Sequence, residues 1–189
     1  KTDMKTIMIT GVCGVGKSTI TRQLAAQLKL PWNDYADFML EYMKDGDRDI
    51  FPRLTWQERR ELYTAVDGVL ANRLMRAKTH NLYLLENHLT VIHDGEIIPL
   101  DFAPYDQYRL AGIIAVEGDP EVIAKRRIND IGRLRVNDDA KIIARQQEMN
   151  REILKALSGR FNIPSKTILN HEDPVVDEKL IGWIEELTE

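Results

Sequence analysis

Residues 11–18 read Gly-Val-Cys-Gly-Val-Gly-Lys-Ser, which fits the spacing G-x-x-x-x-G-K-[ST] at every constrained position. Gly11, Gly14 and Gly16 admit backbone conformations and close approaches that a β-carbon forbids, so consecutive N–H groups can turn inward around phosphate oxygens. Lys17 brings a full positive charge toward β- and γ-phosphates, and the Ser18 hydroxyl has the size and reach of a Mg2+ ligand. A helix starting near Lys17 adds its positive end to the same pocket. The predicted nucleotide contacts are Gly11, Gly14, Val15, Gly16, Lys17, Ser18 and Thr19, and the predicted ligand is a nucleoside triphosphate with Mg2+. Cys13 within this loop reads as a small space-filling side chain.

A phosphate loop specifies a triphosphate, but the charge that meets a transferred phosphoryl group must come from elsewhere. Arg126, Arg127, Arg133 and Arg135 fall within ten residues. Planar, permanently charged guanidiniums suit the equatorial oxygens of such a group. On a segment of about residues 126–138, with Gly132 allowing a bend, they predict a lid that closes over the reactants and excludes water. Lys17, Arg127, Arg133 and Arg135 are the predicted catalytic cations. Glu86 closes a predicted strand, where its carboxylate can hold Mg2+ through water or orient a cation.

A helical segment of about residues 35–79 supplies the candidates for an acceptor: Tyr35, Asp37, Arg48, Arg53, Arg59 and Arg60, joined by His88. Tyr35, Asp37, Arg59 and His88 form the predicted acceptor-binding set. An acceptor phosphate calls for arginine, whereas an acceptor hydroxyl can use Asp37 as hydrogen-bond partner or base. Asp37 can equally serve as the N-cap of the helix carrying Phe38, Met39 and Tyr42.

These residues need a frame to position them. Thr6-Ile7-Met8-Ile9-Thr10 is short, β-branched and apolar, as a buried parallel strand requires, and Ile20, Leu24 and Leu28 recur at helical spacing. Further strands are predicted at Pro31–Asp34, Asn81–Glu86, Gly112–Val116 and Ser165–Leu169. Strands alternating with helices give an α/β fold, a five-stranded parallel sheet flanked by helices in three layers. Thr55-Trp56-Gln57-Glu58 is a capping-box pattern opening a helix to about Lys78, with a bend or break expected near Gly68. Asp119-Pro120 and Asp173-Pro174 each place an acceptor side chain at N-cap and proline at the first helical position. The stretch from Asn87 to Leu110 reads as a long loop with a short hairpin at Asp94-Gly95.

The chain of 189 residues suits a single domain. Its 26 basic and 30 acidic residues give a net charge of −4, and no long basic run stands out to track a nucleic-acid backbone. One cysteine excludes an internal disulfide and a structural zinc site. No apolar run approaches the roughly 20 residues that cross a bilayer, and no secretion signal opens the sequence. A soluble, cytoplasmic protein without membrane partners is expected.

The assembled order resembles the archaeal-type adenylate kinases, a branch of the P-loop nucleoside monophosphate kinases, over nearly the whole chain. The resemblance is carried by Ile9-Thr10-Gly11 through Lys17-Ser18, by Asp47-Arg48-Asp49, and by Glu86-Asn87-His88-Leu89-Thr90-Val91. Val116-Glu117 leading to Arg126-Arg127 and Arg133-x-Arg135, and a final strand ending at Leu169-Asn170, complete it. It implies a P-loop NTPase fold with a small arginine-bearing lid and reversible transfer of the ATP γ-phosphoryl group to AMP with Mg2+. It also implies a place near the ATP base for Asn170 and His171, and self-association as a trimer. A carboxylate at Asp37 would repel an acceptor phosphate unless an arginine compensates it. Tyr35-Ala36-Asp37 also resembles the acidic motif of shikimate-type kinases, whose acceptor is a hydroxyl. Two other functions therefore stay open at this level: a P-loop kinase of a small hydroxyl-bearing metabolite, and a nucleotide-dependent regulatory ATPase, against which the arginine cluster weighs.

Overall fold

Among the residues that this computed structural model describes, 4–44, 46, 48–76, 82–130, 139–170 and 176–187, the apolar strand before the phosphate loop is the centre of the sheet. All of β1 (Lys5–Gly11) except its first residue is buried. It pairs in parallel with β3 (Leu82–Glu86) on one side and β6 (Leu110–Glu117) on the other. With β2 (Trp32–Asp34) outside β3 and β7 (Ser165–Leu169) outside β6, the order is β2-β3-β1-β6-β7, parallel throughout. The chain fills one flank of β1 before crossing to the other, so the connections diverge at its carboxyl end, where open sheets of this kind bind ligands.

Helices on both faces explain why these strands are apolar rather than alternating in polarity. Ile7, Ile9, Leu84, Ile114 and Val116 pack with Ile20 and Leu24 of α1 (Lys17–Leu28), Ile123 of α4 (Pro120–Asn129) and Leu180 and Ile184 of α6 (Glu178–Glu186). Met8, Leu85, Ile113 and Ala115 face the other way. They meet Phe38 and Met39 of α2 (Tyr35–Met43), Leu62, Val66 and Leu70 of α3 (Trp56–Arg76), and Leu154 and Leu157 of α5 (Ala140–Phe161). This is the expected three-layer P-loop fold.

The helix starts are fixed by short polar side chains. Asp34, Asp119, Asp139 and Asp177 cap α2, α4, α5 and α6, each accepting from backbone N–H groups of the first turn. The capping box of α3 forms as its sequence predicts: Thr55 N donates to Glu58 Oε2 at 2.8 Å and Glu58 N to Thr55 Oγ1 at 3.3 Å. The hairpin forms too, β4 (Thr90–His93) against β5 (Glu96–Pro99), with positive φ at both Asp94 and Gly95 as a two-residue turn of the hairpin-favoured hand requires.

Some expected boundaries differ. The final helix starts at Glu178 on the Asp177 cap, where Asp177 Oδ1 accepts from Leu180 N at 2.8 Å; Asp173-Pro174, like Asn81, Lys78 and His171, lies outside the described residues. Arg126 and Arg127 belong to the last turn of α4, while Gly132, Arg133 and Arg135 lie outside the described residues. No described helix is long and apolar enough to cross a membrane. No break occurs at Gly68: α3 runs unbroken from Trp56 to Arg76. Burial of Leu62, Val66, Leu70, Ala71 and Leu74 along one face outweighs the weak helix propensity of a single glycine.

A β-carbon on Gly68 would meet nothing within 4 Å. Gly68→Ala is therefore expected to stabilise the protein by about 0.5–1 kcal/mol, read as a higher urea midpoint at constant slope. A lower midpoint would show that α3 needs glycine at this point.

Candidate active site

The turn from β1 into α1 is held from behind. Gly11 lies so close to β6 that a β-carbon would collide with the Val116 carbonyl oxygen, and Gly16, in left-handed backbone, passes so close to Asn170 that a β-carbon would collide with its side-chain amide. Asn170 Nδ2 donates to the Val15 carbonyl, and Arg127 Nε to the Cys13 carbonyl at 2.8 Å. Lys17, buried at 5 % exposure, gives one N–H of its ammonium to the Val12 carbonyl at 3.1 Å. With these carbonyls tied to the scaffold, Gly14, Gly16, Lys17, Ser18 and Thr19 line a cleft of about 470 Å3.

The start of α1 opens on this cleft. Its N-cap is Gly16, no side chain caps it, and no acidic residue stands in its first turn. The positive helix end is thus left for an anion. Two of the expected nucleotide residues serve the loop rather than line the cleft. Val15 is fully buried and its N–H donates back to the Val12 carbonyl at 3.3 Å, while Gly11 offers its carbonyl to His88 Nδ1 at 3.2 Å. Asn170 also acts on the loop itself, through Val15.

β2 and β3 end side by side with Asp34 opposite Glu86, so two carboxylates reach the same edge of the sheet. Glu86 Oε1 accepts from Ser18 Oγ at 2.8 Å, and its buried Oε2 has no protein partner among the described residues. Burial raises the Glu86 carboxyl above the usual carboxylate range, against the pull of Lys17 and Ser18. Burial acts on Asp34 in the same sense, but its bonds to the Ala36 amide and Arg48 outweigh it and hold that carboxyl lowered. Arg48 Nη1 donates to Asp34 Oδ2 at 2.9 Å and Nη2 to Asp37. Asp37 thus has its compensating arginine, is exposed, and lines neither this cleft nor the cavity of about 220 Å3 that adjoins it. The N-cap of α2 is Asp34 instead.

A second cavity of about 220 Å3 adjoins the cleft and shares with it Cys13, Ala36, Phe51, Arg59 and His88. Met39, Tyr63, Val91, Ile92 and Leu100 give it apolar walls, and Arg59 and Arg127 line it too. Among the described residues no carboxylate does. Arg59 is aimed by the Phe51 carbonyl, which accepts from both Nε (2.8 Å) and Nη2. The Tyr35 hydroxyl donates to Asp67 Oδ1 at 2.6 Å, fixing its ring in the wall.

Of the expected acceptor residues, Tyr35, Arg59 and His88 therefore meet in one cavity, with Arg127 among them. Arg48 and Arg126 face the cleft, Arg60 lines a further cavity beside Trp56 and Asp67, and Arg53 lines none of these. Sequence reasoning missed Asp34, Asn87 and Gln146, all at these cavities. Asp34 had a usable signal, because it ends the strand adjacent to the one Glu86 ends. Gln146 had none, since it lies mid-helix in α5 and far along the chain.

A family profile described as an AAA domain matches residues 10–144. An adenylate kinase of Pyrococcus abyssi is 30 % identical over 186 residues, which cover 95 % of this chain and 93 % of that protein. One of Pyrococcus furiosus is 31 % identical over 179 residues, covering 91 % and 89 %. Among solved structures, a shikimate kinase from Acinetobacter baumannii in complex with shikimate aligns at a TM-score of 0.61 over 98 % of this chain and 93 % of that one. Its identity of 16 % speaks to the fold alone. Matched along almost their full length, and carrying the loop, the paired strand ends and the adjoining cavity described above, this chain belongs to the archaeal-type adenylate kinase family, phosphotransferases of the nucleoside monophosphate kinase type.

Proposed function

We propose that the protein transfers the γ-phosphoryl group of ATP to AMP, reversibly and with Mg2+. The observation that carries this reading is the cavity beside the phosphate-loop cleft, lined by Arg59 and Arg127 and, among the described residues, by no carboxylate. Such a lining suits an anionic acceptor. A hydroxyl acceptor would call instead for a carboxylate free to take its proton, and the two at the neighbouring cleft, Asp34 and Glu86, are bonded to Arg48 and Ser18.

In the reaction a phosphate oxygen of AMP attacks the γ-phosphorus in line, the bond to the β,γ-bridging oxygen breaks, and two ADP molecules result. The attacking oxygen is already an anion, so no base need remove a proton. Asp34 and Glu86 are accordingly engaged elsewhere, with Arg48 and Ser18. Lys17 and the uncapped start of α1 would hold the β- and γ-phosphates, and Arg127, braced on the loop at Cys13, reaches the acceptor side. Arg133 and Arg135 would complete the charge from the expected lid. The oxygen donors present fit Mg2+: Ser18 Oγ and the unpartnered Glu86 Oε2, directly or through water, are hard ligands of the kind it takes alongside substrate phosphates. Bound there, the ion would neutralise charge on the phosphate oxygens. A trimeric assembly and a cytoplasmic location accompany this reading by family resemblance.

ADP formation measured with ATP and a panel of nucleoside monophosphates and shikimate tests it. AMP should raise turnover far above basal hydrolysis; acceleration by shikimate alone, or by no acceptor, would overturn the reading. Lys17→Ala should lower kcat by about 10²-fold or more while the protein stays folded by circular dichroism, because a preorganised charge on the transferring group is worth several kcal/mol. Undiminished turnover would remove Lys17 from the mechanism.

His88, in the wall between the cavities, supplies a pH test. Burial and the nearby charge of Lys17 push its imidazole from 6.5 down to about 3, so the folded protein holds it neutral with Nδ1–H toward Gly11. The unfolded chain takes up a proton near pH 6.5 that the folded one refuses. The stability this confers is complete above that pH and is lost as pH falls toward 3. Between pH 7 and pH 5 the protein should lose about 1–2 kcal/mol more unfolding free energy than His88→Gln does. Equal losses in urea titrations would show that the imidazole takes up its proton in the folded protein as readily as in the unfolded chain.

A further inference from the structure

Behind the acceptor cavity runs a chain of buried polar groups that phosphoryl transfer does not use. Gln146 of α5 is 3 % exposed and lines the cavity. Its Nε2 donates to the Thr90 carbonyl at 3.3 Å and to Thr90 Oγ1 at 3.1 Å. Thr90 Oγ1 donates in turn to Asn150 Oδ1 at 2.8 Å. The Thr90 carbonyl can only accept, so the end of Gln146 that faces it is the amide nitrogen, and the Thr90 hydroxyl, donating to Asn150, accepts from the same nitrogen. Gln146 Oε1 is then the end left over, and it is buried with no hydrogen-bond partner among the described residues. Buried carbonyls are rarely left without a donor. A ligand N–H would complete this one, and the apolar walls at Met39, Val91, Ile92 and Leu100 suit a flat ring beside it.

We propose that Gln146, oriented by Thr90 and Asn150, reads the exocyclic amine of the acceptor base, so that the site selects amino-bearing bases, adenine and cytosine, over their keto counterparts, hypoxanthine and uracil. The inference rests on the monophosphate kinase reading and deepens it. An exocyclic amine gives Oε1 its missing donor. A keto oxygen in the same place sets acceptor against acceptor and leaves both buried and unsatisfied.

The test compares kcat/KM for AMP with IMP, and for CMP with UMP, at fixed ATP. The unaltered protein should favour AMP over IMP by at least about tenfold. In Gln146→Leu the AMP to IMP ratio should fall toward one through loss with AMP, while KM for ATP is unchanged, a pattern that a general packing defect would not produce. Thr90→Val, which keeps the amide but removes one of its anchors, should lower the same ratio, and it decides the matter if Gln146→Leu does not fold. No preference in the unaltered protein, or a full preference retained in the folded variant, overturns the role of Gln146 while the kinase reading stands. Absence of turnover with every monophosphate overturns both.

Discussion

The start of α1 is the constraint on which the site depends. Four other helices begin on an aspartate whose side chain satisfies their first amides, and α3 uses a capping box. α1 begins on Gly16 with no side-chain cap, forgoing roughly 1 kcal/mol of capping stabilisation. Its amides could still be silenced if the preceding loop folded back on them. The loop carbonyls are instead held by side chains, Gly11 by His88, Val12 by Lys17, Cys13 by Arg127 and Val15 by Asn170, and the fold-back within the loop is the Val15 N–H on the Val12 carbonyl, ahead of α1. The anion site therefore comes from the scaffold's hold on carbonyls as much as from the glycines.

Charge is then sorted between the two cavities. In the cleft, Lys17, Arg48, Arg59 and Arg126 stand among Asp34, Asp49, Glu86 and Asp130. The mixture suits a polyanion that arrives with a cation, because it offers both signs in one place. The adjoining cavity has Arg59 and Arg127 and no carboxylate among the described residues, which suits an anion that arrives alone. Asp37, which would spoil this arrangement if it pointed inward, is exposed and bonded to Arg48.

What could be read from the sequence was what is contiguous in it. The phosphate loop, the apolar strands and the Asp94-Gly95 turn are local patterns with local causes, and they fold where they were expected. Pairing across the sheet is different in kind. Asp34 faces Glu86 because β2 adds to β3, and nothing within either segment states that register. No break formed at Gly68 for the same reason in reverse, since a local propensity yielded to burial along the whole length of α3. The last helix had two aspartates available as caps, and proline after Asp173 favoured that one locally. The cap of the described helix is Asp177.

Buried groups without protein partners show where ligand atoms belong, provided they face a cavity. Among the described residues, Thr6, Thr10, Ser158 and Asn170 each carry such an atom, yet none lines the cleft or the cavity that adjoins it. Glu86 and Gln146 do, one in each cavity. Both are acceptors, but their surroundings assign them different counterparts. Glu86 Oε2 is half of a carboxylate whose other oxygen holds Ser18, which suits a metal ion or its water. Gln146 Oε1 is a neutral carbonyl among apolar walls, far better matched to a weak N–H donor than to an ion, whose desolvation such walls would not repay. Together with the uncapped start of α1, these two atoms support the proposed order of partners: triphosphate, cation, then an acceptor with its phosphate toward arginine and its amine toward Gln146.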